Sequence, residues 1–332
     1  LNRGMACYRC PIVCGRETRT VKYKLDAVDG PEYETVAAFG SLALVDDLEG
    51  VIYAGHLCNL HGLDTISTGS TIALACDLYK KEVITAEDTG GLEIHFGDVE
   101  MSHQLIELIA HREGFGDLLA EGSAALAAHF GVPEMSATVR KLEIPMHDAR
   151  SFSGMAPVYA LSPRGACHLQ GDMYGVDTGQ GPATELGIIP GDRFENSEEK
   201  GAITARSQAW RSLYNAFTVC HFMNPGASQM QKALTAATGW DYSVEDLLLA
   251  GKRIFTIKRM LNLKLGSDAE DDRLPDFMLK SFPTGGTTGF VPDLKPLLKG
   301  AYQEHGWDPD SGLPTPDTLQ AYGLEFTIPD LP

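Results

Sequence analysis

Apolar residues recur at helical spacing through most of this chain, and the pattern is clearest after residue 45. Asp46 and Glu49 have the spacing of a capping box, and Gly62 supplies a stop signal for the helix that follows them. The same periodicity predicts further helices over residues 67–80, 101–114 and 117–131. The first half of the chain is therefore predicted to be a helical bundle.

The second half combines an irregular stretch with further helices. A short extended segment at 140–145 precedes residues 151–190, which are rich in Gly, Ser and Pro and show little periodicity. Irregular backbone of this length inside a domain more often forms a site than a plain connector. Helical spacing returns at 202–218 and 243–265, and Thr315 with Pro316 starts a short last helix. Strand signals are few, so we expect a mainly α fold with two helical domains, at residues 1–137 and 138–332.

Charge and hydropathy narrow the range of partners. The 27 basic and 45 acidic residues give a formal net charge of -18, which repels a phosphate backbone and disfavours nucleic acid as a partner. No apolar run reaches the length of about 18 residues that indicates a membrane span, and no leader pattern opens the chain. We therefore expect a cytoplasmic protein. Because the chain opens at Leu1, it is also predicted to be part of a longer polypeptide.

Cysteines provide the first chemical signal. Three of the seven form the cluster Cys7-x-x-Cys10-x-x-x-Cys14, and thiolates this close together can bind one soft metal centre. An odd, clustered set of cysteines argues against a disulfide framework. Zinc knuckles usually come as two pairs of ligands, whereas three close cysteines and the remote Cys220 favour a four-thiolate iron-sulfur cluster, with zinc as the alternative.

A short motif occurs once in each half of the chain. It reads Asn59-Leu-His-Gly-Leu-Asp64 in the first half and Asn215-Ala-Phe-Thr-Val-Cys220 in the second. Each copy falls where a helix is predicted to end, and a helix end offers unpaired carbonyl groups beside the asparagine amide. Such an end can bind the amide and amino edge of a heterocycle, so two copies could bind two related rings.

Two further residues are candidate acids or bases. Glu32 lies in the turn-forming run Gly30-Pro-Glu-Tyr-Glu34, where any extended path would put both carboxylates on one side. His168 lies in the irregular Gly-rich stretch. Taken alone, a solvated acidic loop and a structural histidine are the commoner interpretations.

Together, and in this order, these motifs resemble the aldehyde:ferredoxin oxidoreductase family. The resemblance covers essentially the whole chain, and the matching segments are residues 7–14, 30–35, 46–49, 57–67, 164–168, 215–220, 306–308 and 313–316. The family also has an N-terminal β-rich domain that forms the base under a metallopterin, and this chain lacks it. The resemblance therefore implies the two helical domains of that fold, inactive without the third.

The resemblance assigns cofactor roles to individual residues. It implies a [4Fe-4S] cluster ligated by Cys7, Cys10, Cys14 and Cys220. It also implies pterin binding by the two copies of the motif, through Asn59, Leu63, Asp64, Asn215, Val219 and Cys220. The family signature usually reads Asp-x-x-Gly-Leu-(Cys or Asp), so both leading carboxylates are replaced here by asparagine. This replacement weakens a charge-assisted hydrogen bond to the pterin, but an amide oxygen still accepts one.

Glu32 and His168 match the family's acid-base residues beside a tungsten (or molybdenum) bis-pterin centre. The implied reaction oxidises an aldehyde to a carboxylic acid, with His168 donating to the developing oxyanion and Glu32 taking a proton. Electrons would leave through the cluster to ferredoxin, and a homodimer is expected by analogy with the family.

Two alternatives remain open at this point. Tungsten subunits of aryl-CoA reductases are similar to the family, and a Cys58 thiolate beside the metal would suit that different reaction. A small buried residue is the commoner interpretation of Cys58. The other alternative is a non-enzymatic iron-sulfur or zinc module used for electron transfer or scaffolding.

Overall fold

The computed structural model describes residues 1–181 and 183–332, and these form two compact units, Leu1–Met146 and His147–Pro332. The sequence analysis placed the boundary earlier, between residues 137 and 138. The structure divides later because a short hairpin of β4 (Thr138–Val139) and β5 (Leu142–Glu143) belongs to the first unit. Glu143 accepts hydrogen bonds from the backbone N–H and the hydroxyl of Ser123, both at 2.8 Å.

The first unit opens with a three-stranded antiparallel sheet that the sequence analysis did not predict. Its strands are β1 (Arg3–Met5), β2 (Gly15–Thr20) and β3 (Leu25–Asp29), in that order. Arg3 pairs with Glu17 and Thr18 with Val28, and the register shifts between Thr18 and Thr20. The strands are short and β2 carries no apolar residue, so the usual alternation of a half-buried strand is absent.

The helices of the first unit follow the predicted bundle, with corrections at their ends. They are α1 (Tyr33–Val36), α2 (Leu48–His61), α3 (Thr65–Lys80), α4 (Val99–His111), α5 (Phe115–Leu119) and α6 (Ser123–His129). The N-cap of α2 is Asp47 and not Asp46, since the Asp47 side chain accepts the backbone N–H of Gly50 at 3.1 Å. The helix predicted over 117–131 is wrong, because the chain turns at Gly122, where φ is 88°, and forms two short helices instead.

Helices α2 and α4 run side by side in the same direction. A Cβ atom on Gly50, near the start of α2, would lie 2.6 Å from a methyl carbon of Val99 at the start of α4, so only glycine permits this approach. One turn later, the His103 ring donates to the carbonyl oxygen of Gly50 at 2.8 Å. Both helices therefore end on the same side of the unit.

The second unit is helical, and its centre is α9. The helices are α7 (Met155–Leu161), α8 (Met173–Asp177), α9 (Glu198–Ala216), α10 (Ala227–Thr238), α11 (Val244–Lys264), α12 (Leu294–His305) and α13 (Pro316–Ala321). Helix α9 packs against both α11 and α12 at very short range. A Cβ on Gly251 would meet the carbonyl oxygen of Ala209 at 2.2 Å, and one on Gly300 would meet that of Glu198 at 1.8 Å. The predicted capping box of Ser243 and Asp246 is confirmed at the start of α11.

The mainly α fold predicted from sequence is confirmed, apart from the small sheet of the first unit. Within the part of the chain that the structure describes, none of the helices combines the length and the apolar character that crossing a bilayer requires.

Candidate cofactor-binding site

A cavity of about 670 Å³ opens in the first unit, between the loop that carries the cysteine cluster and the end of α2. It is lined by all seven residues of the first unit to which the resemblance gives a role, namely Cys7, Cys10, Cys14, Glu32, Asn59, Leu63 and Asp64. These side chains come from three separate segments of the sequence, at residues 7–14, 32 and 59–64. The fold thus gathers the three clustered thiols and the first motif around one space.

The cysteine cluster occupies the loop between β1 and β2. The pairing of Met5 with Gly15 closes the base of this loop, and the Cys10 N–H donates to the Cys7 carbonyl at 3.0 Å. All three thiols are free, with Cys7 and Cys14 exposed and Cys10 half-buried. Three free thiols lining one cavity supply three of the four thiolates that a [4Fe-4S] cluster requires, so these residues fit part of that donor set.

Arg16 connects the cysteine loop to the turn that carries Glu32, a role that sequence reasoning missed. Its guanidinium donates to the carbonyl oxygens of Cys14 and Pro31, each at 3.1 Å, and lies 3.6 Å from the Glu32 carboxylate. A Cβ on Gly30 would come within 2.1 Å of the Arg16 side chain, so Gly30 leaves the space that Arg16 fills. The only sequence signal was an arginine two positions after the third cysteine.

Glu32 and Glu34 differ in burial and in their partners, because the chain turns here, as a turn-forming run predicts, and follows no extended path. The chain turns into α1 at Tyr33, so Glu32 is the N-cap, with 58% of its side chain exposed. Glu34 is buried and accepts the backbone N–H of Met146 at 2.9 Å. Both carboxylates line the cavity together with those of Asp29 and Asp64, and Glu34 is an acidic group that the sequence analysis gave no role.

The two copies of the asparagine motif have the same backbone structure. In the first, the N–H groups of Gly62 and Leu63 donate to the carbonyls of Asn59 and Cys58, at 3.4 and 2.8 Å. In the second, Thr218 and Val219 donate to Asn215 and Tyr214, at 3.3 and 2.9 Å. The prediction that each copy lies at a helix end is confirmed, since α2 stops at His61 and α9 at Ala216.

The exposure of the side chains also repeats between the two copies. Asn59 and Asn215 are exposed, and Leu63 and Val219 are half-buried. The last residues, Asp64 and Cys220, are exposed as well. Each copy therefore presents an amide, backbone carbonyls and one further polar group or thiol, which suits the N–H groups of a heterocycle.

In the second unit, Asp172 joins the segment of His168 to the segment of Cys220. The Asp172 N–H donates to the His168 carbonyl at 3.0 Å, and its carboxylate accepts a hydrogen bond from the ring of His221, the residue after Cys220. The Arg211 guanidinium lies 3.6 Å from the same carboxylate. Burial opposes the charge of Asp172, but its charged partners outweigh burial and lower its pKa. Asp172 was missed because its partners are distant in sequence.

The imidazole of His168 is neutral at physiological pH. It is buried, and its ring centre lies 5.3 Å from that of His147. Burial, followed by the neighbouring His147, lowers the pKa of His168 to about 4. The neutral imidazole offers one N–H donor and carries no charge.

Cys58 does not belong to the cavity wall. It is completely buried at the centre of the first unit and is absent from the described residues that line the cavity. Burial, assisted by the nearby Asp64, raises the pKa of its thiol to about 12. Cys58 is therefore a small buried residue with a protonated thiol, as the commoner interpretation holds.

Comparison with known proteins gives the family. The model of the family described as aldehyde ferredoxin oxidoreductase, domains 2 and 3, matches residues 1–324. A tungsten-containing aldehyde ferredoxin oxidoreductase of Pyrococcus furiosus is 40% identical over 330 residues, with 98% of this chain and 53% of the relative covered. The corresponding protein of Thermococcus kodakarensis is 39% identical over 320 residues, with 95% of this chain and 51% of the relative covered.

A solved structure shares the fold. It is the active site complex BamBC of benzoyl coenzyme A reductase with 1,5-dienoyl-CoA, which matches with a TM-score of 0.77 at 22% identity and covers 98% of this chain and 53% of that chain. This chain spans about half the length of the curated relatives it matches. The chain belongs to the aldehyde ferredoxin oxidoreductase family, in the region that the family model describes as domains 2 and 3.

Proposed function

We propose that the protein containing this chain oxidises an aldehyde to a carboxylic acid at a tungsten bis-pterin centre and passes the electrons through a [4Fe-4S] cluster to ferredoxin. The observation that carries the proposal is the repeated helix end at residues 58–63 and 214–219, which has the same hydrogen bonds in both copies. Two matching ends suit the two pterins of one such centre. As part of the same proposal, the reaction takes place in the cytoplasm and the protein forms a homodimer.

The proposal assigns the cofactors to residues of this chain. Cys7, Cys10, Cys14 and Cys220 ligate the cluster, and the two copies of the asparagine motif bind the pterins. When bound, the tungsten centre supplies two-electron redox chemistry and the cluster carries the electrons one at a time. Molybdenum could replace tungsten in this centre, and elemental analysis distinguishes the two metals.

His168 and Glu32 perform the proton chemistry of the proposal. The neutral imidazole of His168 donates its N–H to the aldehyde oxygen as negative charge develops there. Glu32, held beside Arg16, accepts a proton as the aldehyde C–H bond is broken. Overall, the aldehyde and one water give the carboxylic acid, two protons and two electrons, and ferredoxin accepts the electrons.

Ring reduction of an aryl-CoA thioester is less well supported. The relation to the benzoyl-CoA reductase complex rests on the fold at 22% identity. Cys58, whose thiolate would suit that reaction, is a buried protonated thiol away from the cavity wall.

The test uses full-length protein, purified without oxygen and loaded with tungsten and iron. We expect aldehydes to reduce a viologen dye, and benzoyl-CoA to remain unreduced when a reduced viologen is supplied. His168→Asn should lower kcat by roughly 100-fold or more, because the donor to the oxyanion is displaced. The exposed His129→Asn is the matched control, with activity unchanged.

The pH profile adds a second check on His168. Because its pKa is about 4, the imidazole stays neutral from pH 8 down to pH 6, and its protonation should cause no loss of kcat in that range. A fall in kcat near pH 6.5 that is present in the wild type and absent in His168→Asn would contradict the proposed role of His168 as a neutral donor. A loaded enzyme without activity on any aldehyde would contradict the proposed reaction itself.

A further inference from the structure

Three potential metal ligands other than the clustered cysteines meet at the ends of α2 and α4. They are His61, the last residue of α2, with Glu107 and His111 in the last two turns of α4. Their ligand atoms all lie within 4.8 Å of one another. None of the roles assigned above uses these three side chains.

One carboxylate oxygen faces both imidazoles. The Glu107 Oε2 atom lies 3.1 Å from His61 Nε2 and 3.6 Å from His111 Nε2. Zn–N and Zn–O bonds of about 2.0–2.1 Å in a tetrahedron place neighbouring ligand atoms about 3.3 Å apart, between these two distances. The two distances from Glu107 therefore suit a tetrahedral zinc site, and the two imidazole nitrogens lie within 4.8 Å of each other.

The position also favours a cation. Because α2 and α4 run in the same direction, both present the negative end of the helix dipole at this point, and the chain carries a net charge of -18. The side chains of His61, Glu107 and His111 are 24%, 45% and 59% exposed, so an ion can enter from solvent.

We propose that His61, Glu107 and His111 bind one divalent transition-metal ion, for which two imidazoles and a carboxylate suit Zn²⁺. Three protein ligands leave a coordination position for water. His61 lies inside the first asparagine motif, two residues after Asn59, so a bound ion would fasten the end of α2 to α4 and steady the wall of the cavity. This inference does not depend on the proposed reaction.

The test measures Zn²⁺ binding to the full-length protein, with its cofactors in place and freed of loosely bound metal with a chelator. Titration calorimetry should show that His111→Ala and Glu107→Gln bind one Zn²⁺ fewer than the wild type, or bind it more than about tenfold more weakly. The side chains of Glu107 and His111 are about half exposed, so neither change leaves a cavity in the core. Since every cysteine is retained in all variants, zinc bound by thiols cancels in the comparison.

A surface pair in the same unit provides the matched control. His95 lies 3.7 Å from Glu93, with both side chains mostly exposed, and the described part of the chain places this pair in no group of three ligands. His95→Ala should bind Zn²⁺ as the wild type does, and excess Mg²⁺ should not compete, because Mg²⁺ prefers oxygen ligands. Co²⁺ serves as a spectroscopic probe of the ligands. The Co²⁺ absorption spectrum of the wild type minus that of His111→Ala should contain no thiolate charge-transfer band. Equal stoichiometry and affinity in the wild type, His111→Ala and Glu107→Gln would overturn the proposal.

Discussion

Thr218 adopts the left-handed backbone conformation that Gly62 adopts at the same place in the first motif. Its φ is 55°, against 68° for Gly62. A β-branched residue is strained there, because its Cβ lies too close to neighbouring carbonyl groups. The hydrogen bonds of Thr218 and Val219 nevertheless match those of the first copy, so the helix end is kept although the glycine is lost.

Replacing Thr218 with glycine should therefore stabilise the protein. Removing the strain of a left-handed residue stabilises the folded state by roughly 1–2 kcal/mol. The extra freedom of glycine in the unfolded chain offsets roughly 0.5–1 kcal/mol of this gain. We expect a net gain of about 0.5–1 kcal/mol, measured as a raised Tm. Thr238→Gly, at the end of α10, is the control and should lower the Tm. A lower Tm for Thr218→Gly would show that the position is not strained.

At the scale of elements, hydrophobic spacing was a good guide to helices and a poor one to the small sheet. The capping box at Ser243 was found because its hydrogen bonds are local. The break at Gly122 was missed because the apolar spacing runs on through it. Strand β2 was missed because its buried residues, Thr18 and Thr20, are polar, so no apolar alternation marks the strand.

Helix α9 carries a buried ion pair whose disruption should be costly. Lys200 Nζ lies 2.6 Å from Asp177 Oδ1, and the two side chains are 1% and 0% exposed. Burial outweighs the contact with Lys200 and raises the pKa of Asp177. Lys200→Met would leave a buried carboxylate without its partner, and we expect a loss of about 3–5 kcal/mol in denaturant unfolding.

A double variant and a control variant test whether the loss comes from the unpaired buried charge. Lys200→Met/Asp177→Leu should recover most of the loss, since no uncompensated charge remains. Lys299→Met, which removes an exposed pair with Glu198 at 2.7 Å, should change stability by less than about 1 kcal/mol. If Lys200→Met lowered the free energy of unfolding by no more than Lys299→Met does, the buried pair would contribute no more to stability than the exposed pair.

At the scale of the whole molecule, the sequence predicted the candidate residues that lie in motifs and missed those whose role depends on tertiary contacts. The cysteine cluster and the first motif line one cavity of the first unit, where the sequence analysis expected cofactor ligands. Arg16, Glu34 and Asp172 were missed because each acts through partners that the chain brings close only when folded. Ligation by the four cysteines, pterin binding by the two copies of the motif and the catalytic roles of Glu32 and His168 remain predictions.

The most direct test of the central claim is a product measurement on full-length protein loaded with tungsten and iron. With an aldehyde and a one-electron viologen under anaerobic conditions, we predict one carboxylic acid formed for every two viologens reduced. Reduction of the dye without carboxylic acid, or formation of neither product by the loaded enzyme, would contradict the account.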